Sequence, residues 1–394
     1  MKGLPPLPFT FHLSPFTSPL PSPRRILVIR LDRIGDVVLS TPVFQALRRQ
    51  FPHAFIAAMV RPACRDVVEG HPALDEVILY DKDGRHRRLT ETIRFARRLR
   101  RTAFDTALIL HPTNRSHWIT WLAGIPVRIG YDRKSAWLLT HRIPHRKHEG
   151  VQHEAAYTLE MLRVFDPAIG PGGLHIPPPP PEPLIRIHPQ AEQRVDVLLA
   201  EVAIQPADRL VAVHPSASCV SKRWLPERFA EVADRLIEER GVRVCLVAGE
   251  DDVLYALRVA QAMRRPAVNL AGRLSLGELA ALLRRCRLLI SNDSGPVHVA
   301  AAVGTTVVDL FGRNQRGLSP ARWGPIGQGH VILHKEVGCV TCLAHRCDIG
   351  FLCLTSLSVE EVYQASVAVL DRQCLKSTST PQRAQNSTET RRNP

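Results

Sequence analysis

Three short stretches of this chain carry residue types able to do chemistry. The first is "RLDRIGD", where Asp32, Gly35 and Asp36 follow the apolar run "RILVIRL" just ahead of a helical pattern. Asp is a good N-cap and Gly a good turn residue, so capping alone accounts for the pattern. A carboxylate open to a cleft at that point would equally serve as a general base. The residues by themselves leave both readings open.

The second stretch is "HPSASCVSKRWLPERF". Ser216, Ser218 and Ser221 offer hydroxyls, the loop offers backbone N–H groups, and Lys222 offers a point charge, a set suited to a phosphate or pyrophosphate. Trp224 reads as a packing anchor, and Pro226 marks the first turn of the next helix. The third is "LLISNDSGPVHVAAAVG", a buried strand ending at Asn292-Asp293. Ser294, Gly295 and Pro296 then open a helix whose N-terminus favours an anion, and Gly295 permits close approach to the backbone. His298, one turn on, is either a buried hydrogen-bonded histidine or a ligand contact. "CVTCLAHRCDIGFLC" places Cys339, Cys342, Cys347 and Cys353 within fifteen residues. Four thiols can hold a zinc ion, but their irregular spacing favours reduced packing thiols. Neither a GxGxxG nor a Walker pattern occurs.

The elements positioning these loops follow from the apolar periodicity. "RRILVIRL", "AFIAAMV", "DEVILYD" and "DTALILH" read as strands, separated by "GDVVLSTPVFQALRRQF" and the basic "RHRRLTETIRFARRLRRTAF" as helices. The alternation restarts after "PPPPPEP" with "RLVAVHP", "VRVCLVAG", "RLLISND" and "TTVVDLFG" as strands. Near-continuous Val, Ile and Leu between helices indicates parallel sheets covered on both faces. The expected organisation is α/β: a disordered extension over 1–23, a Rossmann-like domain over 24–165, a Pro-rich linker over 166–190, and a second Rossmann-like domain over 191–357. A helix over 358–374 and a disordered tail over 375–394 complete it. Two doubly wound domains would face each other across a cleft, with ligands at the carboxyl ends of the strands.

Composition sets outer limits. At 394 residues the chain exceeds one ordinary core, and no apolar run approaches the length of a membrane span. Nine cysteines without a recognisable signal peptide fit reduced thiols in the cytoplasm. Net charge is +15, and residues 82–150 hold sixteen Lys or Arg against five Asp or Glu. So concentrated a field suggests an anionic partner: nucleic acid, phosphorylated lipid or an acidic membrane surface. The segment lacks any recognisable nucleic-acid module, which leaves a nucleic-acid-binding protein as a remote alternative.

Taken in order, "RLDRIGDVVLSTPVFQALRRQFP", "HPSASCVSKRWLPERFAEVAD", "NLAGRLSLGELAALL" and "SNDSGPVHVAAAVGTTVVDLFG" resemble glycosyltransferase family 9, the heptosyltransferases of lipopolysaccharide core assembly. The Cys-rich "CVTCLAHRCDIGFLCLTSLSVEEVYQA" resembles the end of many members, and the likeness runs from about residue 25 to 373. The resemblance implies a GT-B architecture and an inverting, metal-independent transfer of heptose from ADP-heptose to an anionic Kdo- or heptose-bearing inner-core acceptor. It also implies a cytoplasmic enzyme, with peripheral contact at the inner membrane and no cofactor. Asp36 then matches the general base, ionised at neutral pH with an ordinary carboxyl pKa, and Lys222 the cation that offsets charge on the departing diphosphate. Ser216, Ser218, Asp293, Ser294, Gly295 and His298 fall to the donor, with Leu274 at the adenine and Glu250 or Asp252 at the ribose. Acceptor contacts fall to Arg33, Arg61 and Arg115. A family member using a different nucleotide-activated sugar is the alternative within this class.

Overall fold

The computed structural model describes residues 20–165, 182–339, 341–342 and 345–378. The expected N-terminal extension up to residue 19, the linker over 166–181 and the tail from 379 lie outside the described residues. The chain divides into two compact units between Arg186 and Ile187.

In the first unit the strands are β1 (Arg25–Arg30), β2 (Phe55–Val60), β3 (Glu76–Leu79), β4 (Thr106–Ile109), β5 (Val127–Tyr131) and β6 (His141–Ile143). They form one parallel sheet in the order β3-β2-β1-β4-β5-β6. In the second unit β7 (Leu210–His214), β8 (Arg243–Leu246), β9 (Val268–Asn269), β10 (Cys286–Asn292), β11 (Thr306–Phe311) and β12 (Val331–His334) repeat the plan as β12-β11-β10-β7-β8-β9. Both orders reverse direction once, between β1 and β4 and between β7 and β10. At such a switch point the following loops diverge to opposite faces and leave room for a ligand beyond the strand ends.

Between their end residues the central strands are apolar and buried on both faces, as parallel strands under two helical layers must be. Short strands β5, β6, β9 and β12 go unread in the sequence; β6 and β9 are half-buried edge strands of three and two residues, too short for a period to register. The stretch read as one helix after "RLDRI" is two, Ile34–Val38 and Thr41–Gln50. Pro42 has no N–H and its ring would meet the carbonyl of Val38 in a continuous helix, so the chain breaks and restarts with proline in its first turn. The helix opening the second unit starts at Pro189, inside the stretch read as linker. The final helix, Val359–Thr378, outruns its expected end at 374, and the next proline is Pro381.

Trp224 is the packing anchor expected of it. It is 2 % exposed in the second unit's core, meets Phe229 edge-on with ring centroids 5.0 Å apart, and donates its indole N–H to the Leu357 carbonyl at 3.1 Å. Trp224→Ala should cost about 3–5 kcal/mol of unfolding free energy, read as a shifted urea midpoint.

Candidate active site

In the first unit the candidate residues gather where β1 and β4 part. Arg30 closes β1, and its guanidinium is 3 % exposed. It lies 2.6 Å from Asp36 Oδ1, 3.1 Å from Glu154 Oε1 and 3.3 Å from Asp32 Oδ2, and it donates to the Leu110 carbonyl at 3.2 Å. Glu154 Oε1 also receives the Lys147 ammonium at 2.6 Å, and His111 Nδ1 lies 2.9 Å from Asp32 Oδ1. Glu154 and Lys147 are almost fully buried; Asp32 and Asp36 keep 19 % and 17 % of their side chains open.

This settles what Asp36 is not. It stands in the first turn of helix Ile34–Val38, but the N-cap is Arg33, with no side-chain cap. The carboxylate points to Arg30 rather than to backbone N–H groups. Nor is its basicity ordinary. Burial raises the Asp36 pKa, and repulsion from Asp32 and Glu154 adds to burial against the pull of Arg30. Asp32 goes the other way: burial is outweighed by its hydrogen bond with His111 and by Arg30. Two carboxyls four residues apart are thus driven in opposite directions, the pattern that separates a base from a permanently ionised neighbour.

In the second unit the loops after β7 and β10 meet at the other switch point. The register places His214, Ser291 and Asp309 in one row across β7, β10 and β11. His214 is buried; its Nε2 is 3.0 Å from Ser216 Oγ, and its Nδ1 is 3.2 Å from Ser291 Oγ and 3.1 Å from Ser294 Oγ. Burial lowers its pKa to about 4, so the ring is neutral, with one donor and one acceptor nitrogen among hydroxyls. Asn292 joins the two loops, donating to the Pro215 carbonyl at 2.7 Å and accepting from the Trp224 N–H at 3.0 Å. Lys222 Nζ reaches Asp293, 2.5 Å from Oδ2. At Gly312, just past β11, a Cβ would fall 2.3 Å from the Ser221 carbonyl oxygen.

Ser216, Ser221, Lys222, Asp293 and Ser294 therefore come together. Ser294 forms no side-chain cap on helix Gly295–Ala302, its hydroxyl being turned to His214. His298 is buried one turn inside that helix. Ser218 is exposed on the same loop, Leu274 is half-buried just ahead of helix Leu276–Arg285, and Glu250 and Asp252 lie in a short turn after β8. The three candidate acceptor arginines differ. Arg61 pairs with Asp83 at 2.6 Å, and Arg33 stands at the helix entry beside Asp32. Arg115 instead donates to the carbonyls of Lys82, His86 and Arg87, which ties down the basic loop. Cys339, Cys342, Cys347 and Cys353 line one cavity of about 330 Å³. Among the described residues no group of three or more His, Cys, Asp or Glu is arranged to hold a metal.

Sequence reasoning misses Arg30, Glu154, Lys147, His214 and Asp309. The last two carry a readable signal, a lone titratable residue in the strands "LVAVH" and "TVVDLF". Asp309 is fully buried, and neither carboxyl oxygen has a hydrogen-bond partner. Burial, with Asp293 nearby, raises its pKa well above the ordinary 3.8 against the pull of Lys222. A carboxyl raised on folding is not penalised below 3.8, where both states hold the proton; stability is then lost as pH rises, because only the unfolded state ionises freely. Asp309→Asn should therefore gain little at pH 4 and progressively more towards pH 8, as thermal unfolding across that range would show.

Known proteins agree with this architecture. The sequence profile of glycosyltransferase family 9 (heptosyltransferase) matches residues 92–351, so Asp36 lies ahead of the matched stretch. Lipooligosaccharide heptosyltransferase 2 of Haemophilus ducreyi is 28% identical over 326 residues, 78% of this chain and 88% of that protein. Lipopolysaccharide heptosyltransferase 2 of Escherichia coli is 27% identical over 304 residues, 75% of this chain and 85% of its own. The crystal structure of a family 9 glycosyl transferase from Veillonella parvula superposes with a TM-score of 0.77 at 26% identity, covering 89% of this chain and 98% of that one. The structure of E. coli ADP-heptose lps heptosyltransferase II gives 0.75 at 23%, covering 89% and 99%. With two Rossmann-like units of the GT-B type and a profile match over most of its length, the chain belongs to glycosyltransferase family 9 and is a glycosyltransferase.

Proposed function

We propose that the protein transfers a heptose from ADP-heptose to an inner-core lipopolysaccharide acceptor, with inversion and without a catalytic metal. The reading is carried by the partly open Asp36 carboxylate at the β1–β4 switch point, held 2.6 Å from the buried Arg30 guanidinium. It draws also on relatives named as heptosyltransferases of lipopolysaccharide and lipooligosaccharide. Asp36 takes the proton of the acceptor hydroxyl as its oxygen bonds to the anomeric carbon. The bond from that carbon to the diphosphate oxygen breaks, and ADP leaves with the electron pair. A raised carboxyl pKa suits the task, because a base works best with a pKa near the operating pH. Lys222 exchanges its contact with Asp293 for the departing diphosphate, whose growing charge it offsets. Ser216, Ser218, Ser294 and the start of helix Gly295–Ala302 supply further donors to the phosphates. His298 lines this pocket; Leu274 takes the adenine, Glu250 or Asp252 the ribose, and Arg33 and Arg61 the acceptor.

The acceptor is anionic and lipid-linked, and we assign the first unit a peripheral contact with the membrane that holds it. Among the described residues no helix is long and apolar enough to cross a membrane. Trp118, Trp121 and Trp137 form an exposed edge-on cluster, with ring centroids 5.5 and 5.6 Å apart. Arg94, Arg97, Arg98 and Arg100 stand out from the neighbouring helix Leu89–Arg100. Tryptophan favours the interfacial region, and arginine an anionic leaflet.

Asp36→Asn should lower turnover with ADP-heptose and a truncated core acceptor by 10²-fold or more, while ADP binding by calorimetry stays near wild type. Lys222→Met should weaken ADP binding and turnover together, and added chelator should change neither. A thermal-shift panel of nucleotide-sugars should favour ADP-heptose; a larger shift with another sugar would move the assignment within the class. Co-sedimentation should be strong with vesicles holding anionic lipid, weak with neutral ones and reduced by salt.

A further inference from the structure

A carboxylate 2.6 Å from a buried guanidinium should be a poor base, since the cation favours its ionised form. Asp36 escapes this first through burial, and then because the neighbouring carboxylates share Arg30 with it and repel its charge. The nitrogen that reaches Asp36 also reaches Glu154, and Glu154 in turn holds the ammonium of Lys147. Lys147 lies 4.8 Å from the ring centre of Tyr131, whose hydroxyl donates to the Tyr157 carbonyl at 2.8 Å. Charge therefore alternates along Lys147, Glu154, Arg30 and Asp36, with every member but the last at most 5 % exposed. In so dry a setting such interactions are screened far less than at a surface.

We propose that Glu154 and Lys147 are positioning residues for Asp36, Glu154 drawing the Arg30 guanidinium away from it and Lys147 limiting how far. Each acts on the base through Arg30, from a segment more than a hundred residues along the chain. The inference rests on Asp36 being the base, as proposed above. Other charged or titratable groups face Asp36 from the elements packed against it. Asp32 stands on its own loop, His111 follows β4 and pairs with Asp32, and Cys64 sits in the turn after β2. Burial pushes the Cys64 thiol up to about 11 against the pull of Arg61 and Lys82, so it stays neutral through the working range.

Two substitutions should move the acid limb of the kcat–pH profile in opposite directions. Glu154→Gln removes the competitor, so Arg30 turns to Asp36, the base weakens and the limb moves to lower pH by roughly one unit. Its plateau kcat should fall roughly tenfold. Lys147→Gln removes the competing ammonium from Glu154 Oε1, so the guanidinium moves away from Asp36 and the limb rises. ADP affinity should be unchanged in both, because ADP is assigned to the second unit. Should either single variant fail to fold, the charge-balanced pair Glu154→Gln/Lys147→Gln should fold, with a limb close to wild type. Glu154→Asp should keep the wild-type limb at a lower kcat. The inference is overturned if Asp36→Asn is inactive while the limbs of the two single variants coincide with wild type or move together. It is equally overturned if only the pair folds and its limb is displaced as far as one unit. An active Asp36→Asn enzyme would instead remove the assignment of Asp36 as base.

Discussion

A charge buried at the end of a parallel strand must be met by another charge, and both units are organised by that requirement. Arg30 ends β1 in the first unit, where three carboxylates and a backbone carbonyl converge on it. In the second, Lys222, in the turn Val220–Lys222, meets Asp293 just past the end of β10. Breaking one side of such an arrangement leaves an uncompensated buried ion, which costs far more than a surface pair contributes. Each site keeps part of its charge open to solvent: the Asp32 and Asp36 carboxylates in one unit, the Lys222 side chain in the other.

The sheet topology explains why those charges can be placed at all. Away from the switch points a strand end is flanked by loops folding to the same side. Between β1 and β4, and between β7 and β10, the connections leave to opposite faces. His111 after β4 then stands opposite Asp32 after β1, and Ser294 after β10 opposite His214 at the end of β7. In the second unit the polar row His214, Ser291, Asp309 lies directly beneath these loops, with the apolar neighbours Val308 and Leu310 turned into the core. Strand alternation thus separates the core from the reactive edge within one residue.

Much of this was legible in the sequence, and the gaps have physical causes. Long apolar runs announced the central strands, and the loops bearing Asp36, Lys222 and Asp293 stood out because polar clusters follow such runs. Edge strands such as His141–Ile143 were too short and too polar to show a period. The basic segment misled in part: Arg115, Arg128 and Lys147 count towards its charge, yet each is committed inside the fold, to carbonyls or to Glu154. Arg30 looked like an ordinary charged strand end, because its partner Glu154 is 124 residues away. Pairings at that separation are set by topology, which local spacing does not encode. The basicity of Asp36 departs from the ordinary one because burial, set by the tertiary fold, dominates it, and because Glu154 reaches it from far along the chain.

Gly312 extends this logic to the far side of the second sheet. With a side chain there landing 2.3 Å from the Ser221 carbonyl, the end of β11 acts as a backstop for the turn that carries Lys222. Bulk added at 312 meets that main-chain oxygen first and the Leu354 side chain at 3.0 Å next, so the turn that carries the ammonium would have to give way. The reach of that cation is therefore gauged by a missing methyl group ninety residues downstream, and an engineer wishing to lengthen or shorten it could adjust the backstop without touching the lysine.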